Sequence, residues 1–201
     1  MIKISELIGL NNPLILASKS PRRKHLLTQL GFEFEIMPSE FNEDLIVEAS
    51  PAAQAEKLAL AKATDIAAKL GRRAVVVGAD TIVVLDGQVL NKPENADHAV
   101  EMLQTLSGRT HTVFTGIAIV EAGDSRSVSD VCATEVTFRE LGADEIRAYV
   151  NGGSPMDKAG AYGIQDDFGA VFVSHINGDY YNIVGLPLEL LYRRLTEFVK
   201  K

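Results

Sequence analysis

The side chains with the strongest claim to chemistry fall in short clusters through the first half of the chain, with one more near residue 165. The first, Ser18-Lys19-Ser20-Pro21-Arg22-Arg23, gathers two hydroxyls, two guanidinium groups and the backbone N–H groups of a helix start. Guanidinium forks and unsatisfied amide donors in one place favour an oxyanion, phosphate above all. Ser18, Ser20, Arg22 and Arg23 are therefore candidate substrate-binding residues. Arginines at a helix N-terminus oppose the helix dipole, so they need either a compensating anion or a structural ion pair. The loop is not a Walker A motif, because it lacks the glycine-rich run and the Gly-Lys-Ser/Thr ending.

What this loop lacks is carboxylates, and two other segments offer them. Asp80 follows the apolar run Ala74 to Ala79, where the end of a central strand would place a ligand site. It could bind a divalent cation or accept a proton from water, and an Asx-turn is an equal alternative. Thr81 would orient Asp80, touch substrate, or simply fill space. Glu43, with Glu40, Asn42 and Asp44, could complete a hard-metal site with Asp80, although a solvated acidic loop is the commoner meaning of such a run. Lys62, four residues after Leu58, lies beside the apolar side of a helix, where it reaches a phosphate, neutralises a carboxylate, or snorkels. Lys92, fixed before Pro93, is a phosphate contact or a surface lysine.

In Asp157-Lys158-Ala159-Gly160-Ala161-Tyr162-Gly163-Ile164-Gln165, glycines permit close backbone approach. Gln165 can offer donor and acceptor to a base edge and Tyr162 a stacking face; a purely structural loop is the alternative. His25, His98, His111 and His175 are scattered without an HExxH pair, so no zinc site is expected. His111 reads as a strand residue satisfied locally.

The elements that must position these groups follow from pattern. Leu14 to Ala17 is a buried strand, and Pro21 presets a helix that closes at Gly31. Phe32 to Ile36 alternates as a second strand. Ser50-Pro51 opens an alanine-rich helix running to about Leu70. Ala74 to Ala79 is a β-branched central strand ending at Asp80-Thr81, Ile82 to Leu85 continues extended, and Asp86-Gly87 turns a hairpin back to Val89-Leu90. A helix follows from Ala96 to Leu106, then strands at His111 to Val120 and Ser127 to Phe138 and a helix at Ala143 to Val150. Residues 151–165 read as irregular, Ala170 to Val173 and Tyr180 to Val184 as late strands, and Leu188 to Val199 as a last helix. The fold class is α/β, a mixed twisted sheet with flanking helices, expected as two lobes around a central cleft. Residues 1–13 read as a leader and 14–201 as one domain.

The bulk numbers narrow the function. The 201 residues carry 20 basic against 27 acidic side chains, a formal charge of -7, which argues against a nucleic-acid polymer as partner. Cys132 stands alone, so no disulfide framework is expected. The N-terminus lacks the apolar core of a signal peptide and no run approaches membrane-spanning length, so a cytoplasmic protein is expected.

The loop at 18–23, together with Pro38 to Glu43, Leu58 to Ala63, Gly78 to Thr81, Asn91 to Pro93, Leu106 to His111, Asp157 to Gln165 and Val184 to Leu188, carries a resemblance. The sequence resembles the Maf/HAM1-type house-cleaning nucleotide pyrophosphatases, and among them the Maf family, from Leu14 to Phe198. The resemblance implies hydrolysis of a nucleoside triphosphate to monophosphate and pyrophosphate. Asp80 would be the proton acceptor or a ligand of Mg2+ or Mn2+, and Glu43 would help hold that metal. Arg22, Arg23, Lys62 and Lys92 would hold phosphates, while Arg22, Thr81 and Gln165 would bear on base selection. The family's dTTP/UTP branch carries Asp-Lys-Ala-Gly-Ala-Tyr-Gly-Ile-Gln, as here, whereas the branch linked to 7-methyl-GTP ends its counterpart in glutamate. Asn42 departs from the aspartate of many members, which weakens position 42 as a ligand and leaves Glu43 intact. Family members often form homodimers. Two other readings stand beside this one: a nucleotide-binding regulator of cell division, and a pyrophosphatase for purine or modified nucleotides.

Overall fold

The computed structural model describes residues 4–124, 126–165 and 167–200. In chain order the elements are α1 (Ile4–Ile8), β1 (Leu14–Leu16), α2 (Pro21–Gln29), β2 (Phe34–Ile36), α3 (Pro51–Lys69), β3 (Ala74–Leu85), β4 (Gln88–Leu90) and α4 (Ala96–Leu106). They continue as β5 (Thr110–Ala122), β6 (Ser127–Phe138), α5 (Ala143–Asn151), β7 (Val173–Asn177), α6 (Tyr180–Val184) and α7 (Leu188–Val199), with 3-10 helices at Glu43–Leu45, Ser154–Asp157, Ala159–Ala161 and Asp167–Phe172. The sheet has the order β2-β1-β3-β5-β6-β7, with β4 paired to β3. It is mixed: β1 pairs parallel with β2 and β3, while β3–β4 and β6–β7 are antiparallel. The chain divides into two compact units, Met1–Asp80 with Thr115–Cys132 and Gly185–Lys201, and Thr81–Phe114 with Ala133–Val184.

In the first unit, Leu14, Ile15 and Leu16 are buried as a three-residue strand, and Ser20 caps α2 by accepting the Arg23 N–H at 3.4 Å. The core joins Ile15, Ala59, Ala63, Ile66, Val76, Ala118 and Val120. Small residues bring α3 unusually close to the sheet. A Cβ placed on Gly78 would sit 3.0 Å from both the Cβ and the N of Ala63 and closer still to the Ala59 carbonyl oxygen. A Cβ on Gly116 would likewise collide with the Ala55 carbonyl. These two glycines let the helix backbone lie directly on β3 and β5. The leader is anchored here too, because Ile8 and Leu10 are buried and Asn12 Nδ2 donates to Glu121 Oε1 at 3.1 Å.

In the second unit, Asp86 (φ 50°) and Gly87 (φ 79°) make the tight β3–β4 turn that an Asp-Gly pair favours. His111, Phe138, Tyr162, Phe172 and Tyr149 form an aromatic core of edge-to-face pairs joined by the tilted Phe138–Phe172 pair.

The structure corrects three expectations. The central strand does not end at Asp80; β3 runs unbroken through it to Leu85. Within that strand Gly78 serves helix packing. Tyr180–Val184 is helical, not extended: the Asp179 carboxylate accepts the Tyr181 N–H at 2.7 Å, and the buried Asn182 donates to Val113 O and Thr134 Oγ1, each at 2.9 Å. Tertiary hydrogen bonds there override the β propensity of a Tyr-Tyr…Ile-Val run. Ala170 to Phe172 is 3-10 helix, leaving only Val173 of that stretch in a strand.

Candidate active site

Lys62, Asp80 and Glu43 meet in the first unit. Lys62 Nζ lies 2.5 Å from Asp80 Oδ1 and 2.7 Å from Glu43 Oε1. The local sequence explains the meeting. On α3, Leu58, Ala59, Ala63 and Ile66 are buried, which turns Lys62 toward the sheet at the margin of that face. On β3, side chains alternate, so Asp80 shares the α3 side with Gly78 while Thr81 points to the opposite side. Glu43 opens the 3-10 helix Glu43–Leu45, which Asn42 caps by accepting the Asp44 N–H at 3.1 Å. Asn42 is thus engaged as a cap. The side chains of Lys62 and Asp80 are 13% and 12% exposed, whereas that of Glu43 is 57% exposed. Burial pushes the Asp80 carboxyl above its ordinary pKa, against the pull of Lys62 and Arg23.

The arginine loop is held from within. Ser18 Oγ accepts the Ser20 N–H at 3.2 Å and Arg23 Nη1 at 3.3 Å. Arg23 Nε donates to the Gly185 carbonyl at 2.8 Å. Burial lowers the guanidinium pKa, while the charges of Asp80 and Glu43 raise it and Arg22 lowers it further. The basic helix start thus has carboxylates of the site in its field, which answers the dipole conflict of the sequence. Ser18 and Ser20 are used as loop ties and cap, and Arg22 is half-buried. Gly185 was not singled out from sequence as a partner of Arg23; a glycine just before Leu186-Pro187 was the available signal, and its backbone takes φ 112°.

Thr81, Lys92 and Gln165 belong to the second unit. Thr81 is half-buried, and Lys92 is exposed beside the buried Pro93. The Gly160 N–H donates to the Asn91 carbonyl at 3.2 Å, tying the loop that leads to Gln165 to the neighbour of Lys92. Gln165 is half-buried, and its Nε2 is buried with no hydrogen-bond partner among the described residues. Tyr162 is not a stacking face. It is buried, packs edge-on to Phe138 and His111 at centroid distances of 4.8 Å and 5.3 Å, and its phenol pKa is pushed up by burial. His111 Nε2 and the Tyr162 hydroxyl share a 2.8 Å hydrogen bond. Its Nδ1 has no partner among the described residues, so His111 is only half satisfied, and burial lowers its pKa to about 4.

Two carboxylates converging on one ammonium form a hard-oxygen donor set already organised around a positive charge. Mg2+ and Mn2+ suit such oxygens, and Mg2+ characteristically takes one or two protein carboxylates and completes its shell with water and phosphate oxygens. Asp80 and Glu43 fit that demand. Among the described residues no group of three or more His, Cys, Asp or Glu gathers to form a closed metal cage.

A family model described as "Maf-like protein" matches residues 13–198. A protein from Moorella thermoacetica called "dTTP/UTP pyrophosphatase" is 54% identical over 175 residues, covering 87% of this chain and 89% of its own. Proteins of the same name from Salinibacter ruber and Thermococcus kodakarensis are 47% and 48% identical, covering 96% and 90% of this chain and 94% of their own lengths.

Proposed function

The chain belongs to the Maf-like family, and on that footing we propose that it hydrolyses dTTP and UTP to the nucleoside monophosphate and pyrophosphate, as the names of its relatives say of them. The observation that carries the reading is the Lys62–Asp80–Glu43 cluster with Arg23 in its field.

Water attacks the α-phosphorus, the bond to the bridging oxygen of the β-phosphate breaks, and pyrophosphate leaves. Asp80 accepts the proton of the attacking water. Its burial supports that role, because a carboxylate with a raised pKa is the stronger base at neutral pH. Glu43 would help hold the divalent cation, which when bound supplies neutralisation of phosphate charge and a lower water pKa; ligation of that cation by Asp80 is the alternative to its role as base. Lys62 keeps the two carboxylates apart from mutual repulsion and offers its ammonium to a phosphate oxygen. Arg23, fixed by Gly185 and Ser18, presents a preorganised positive charge, so little reorganisation is needed as charge shifts onto the leaving group. Arg22 and Lys92 are assigned to the phosphates and Arg22, Thr81 and Gln165 to base selection, each by its match to the family motif.

The test is product analysis. Purified protein with Mg2+ and dTTP, UTP, CTP or GTP should release pyrophosphate and monophosphate in equal amounts, with dTTP and UTP fastest. Orthophosphate release, or no turnover, would refute the proposal. No helix of the described chain is long and apolar enough to cross a membrane.

A further inference from the structure

The segment from Lys158 to Gln165 is fixed far more firmly than a surface loop requires. Lys158, buried at 8% exposure, donates from Nζ to Ser154 O at 2.5 Å, to Asp157 Oδ1 at 2.8 Å and to Ser154 Oγ at 3.3 Å. Gly160 (φ 70°) and Ala161 (φ 61°) follow one another in the left-handed region, and a Cβ on Gly160 would lie 3.1 Å from Val83. An alanine in that region is strained and persists only where its surroundings over-determine it. Two residues before Gln165, the Gly163 N–H donates to the Tyr149 hydroxyl at 3.1 Å. Tyr149 is itself pinned. It is 4% exposed, its ring lies 5.1 Å from that of Phe172, and Gly169 backs it so closely that a Cβ there would lie 2.9 Å from the hydroxyl and 2.7 Å from the Gly163 carbonyl. At the end of this segment stands the Gln165 Nε2, buried and without a partner among the described residues. A buried donor kept in that state is costly unless a ligand acceptor meets it.

We propose that Tyr149 is a positioning residue: through the Gly163 N–H its hydroxyl sets where the Gln165 carboxamide stands, and so sets discrimination between bases. The inference rests on the reading that Gln165 recognises the base. A fixed amide donor suits a carbonyl acceptor of uracil or thymine. Cytosine, which replaces one ring carbonyl by an amino group, would leave that donor unpaired, the situation in which polar sites discriminate most strongly. The strained Gly160–Ala161 turn serves the same end by holding the start of the segment.

The experiment compares kcat and KM for UTP and CTP in the wild type, Tyr149→Phe, Ala161→Gly and Gln165→Leu. Tyr149→Phe keeps the ring and removes only the acceptor. The UTP/CTP ratio of kcat/KM should fall by about tenfold, carried by a higher KM for UTP with kcat kept within about twofold. Ala161→Gly suits the observed φ, so it retains the fold, and it should move the ratio in the same direction. If Tyr149→Phe is less stable, the UTP/CTP ratio measured at a temperature where it is fully folded still decides the matter, because a smaller folded fraction scales both substrates alike. A role confined to stability would lower both substrates together and leave the ratio unchanged, which would overturn the proposal. If Gln165→Leu itself leaves the ratio unchanged, the base-recognition reading fails and the inference falls with it. If Gln165→Leu collapses the ratio and neither other variant moves it, only the positioning role is refuted.

Discussion

Gly78→Ala tests how the fold sets the site. Gly78 is on β3 beneath α3, one turn of which carries Ala59, Lys62 and Ala63. The added Cβ would meet the Ala63 Cβ and N at 3.0 Å and press harder on the Ala59 carbonyl. Carbon pairs rest at about 3.5–4.0 Å, so the helix must retreat by about 0.5–1 Å. The opposing atoms are mostly backbone, so rotamer changes cannot absorb the strain. Overpacking of this kind costs about 1–3 kcal/mol. Lys62 moves with its helix, and its contacts of 2.5 Å to Asp80 and 2.7 Å to Glu43 should lengthen by a similar distance. A displacement near 1 Å in a catalytic array lowers turnover by about a hundredfold. Urea denaturation and steady-state hydrolysis of dTTP read the two effects. Gly71→Ala is the control, since a Cβ there meets nothing within 4 Å, and both quantities should stay at wild-type values. Wild-type kcat/KM and stability in Gly78→Ala would show that close backbone approach is not what places Lys62.

Asp80→Asn should lower kcat by about 10²–10⁴-fold, the usual worth of a general base, while nucleotide affinity by calorimetry stays within a few-fold; retained turnover would place the base elsewhere. His111 predicts acid sensitivity. Its pKa of about 4 in the fold lies below the unfolded value near 6.5, so its stabilising share is complete above about pH 6.5 and lost as pH falls toward 4. By pH 4.5 the wild type should lose about 2–3 kcal/mol that His111→Gln does not lose, measured by urea unfolding across that range; parallel pH profiles would refute it. Arg23→Lys cannot reproduce the bonds to Gly185 and Ser18 together, so it should lower stability by about 1–2 kcal/mol with a fall in kcat. Unchanged unfolding curves would mean those ties carry nothing.

Local signals made much of the frame readable. The Leu14–Leu16 strand, the Pro21 helix start, α4, β6 and α7 follow from apolar runs, proline, glycine and period, and these elements form where that pattern puts them. The mixed sheet followed from the alternation of helices and strands. What failed was set by contacts distant in sequence. The central strand read as ending near Asp80 although it continues to Leu85, and nothing local reveals that α3 lies against Gly78. Tyr180–Val184 read as a strand because Asn182 finds its partners on β5 and β6, about 48 to 69 positions away. The site was legible as a set of residue types but not as a geometry. Lys62 left open whether it served a phosphate, a carboxylate or the surface, and only the packing of α3 on β3 brings it to Asp80. Tyr149 gave no signal at all, because its value lies in one hydroxyl bonded to the backbone of a later segment.

The most direct test of the central claim is the position of bond cleavage. Hydrolysis of dTTP in ¹⁸O-labelled water, with the products separated by mass spectrometry, reports which phosphorus the water attacks. Attack at the α-phosphorus predicts the label in thymidine monophosphate and none in pyrophosphate. Label in pyrophosphate, or in orthophosphate released beside a diphosphate, would contradict the account.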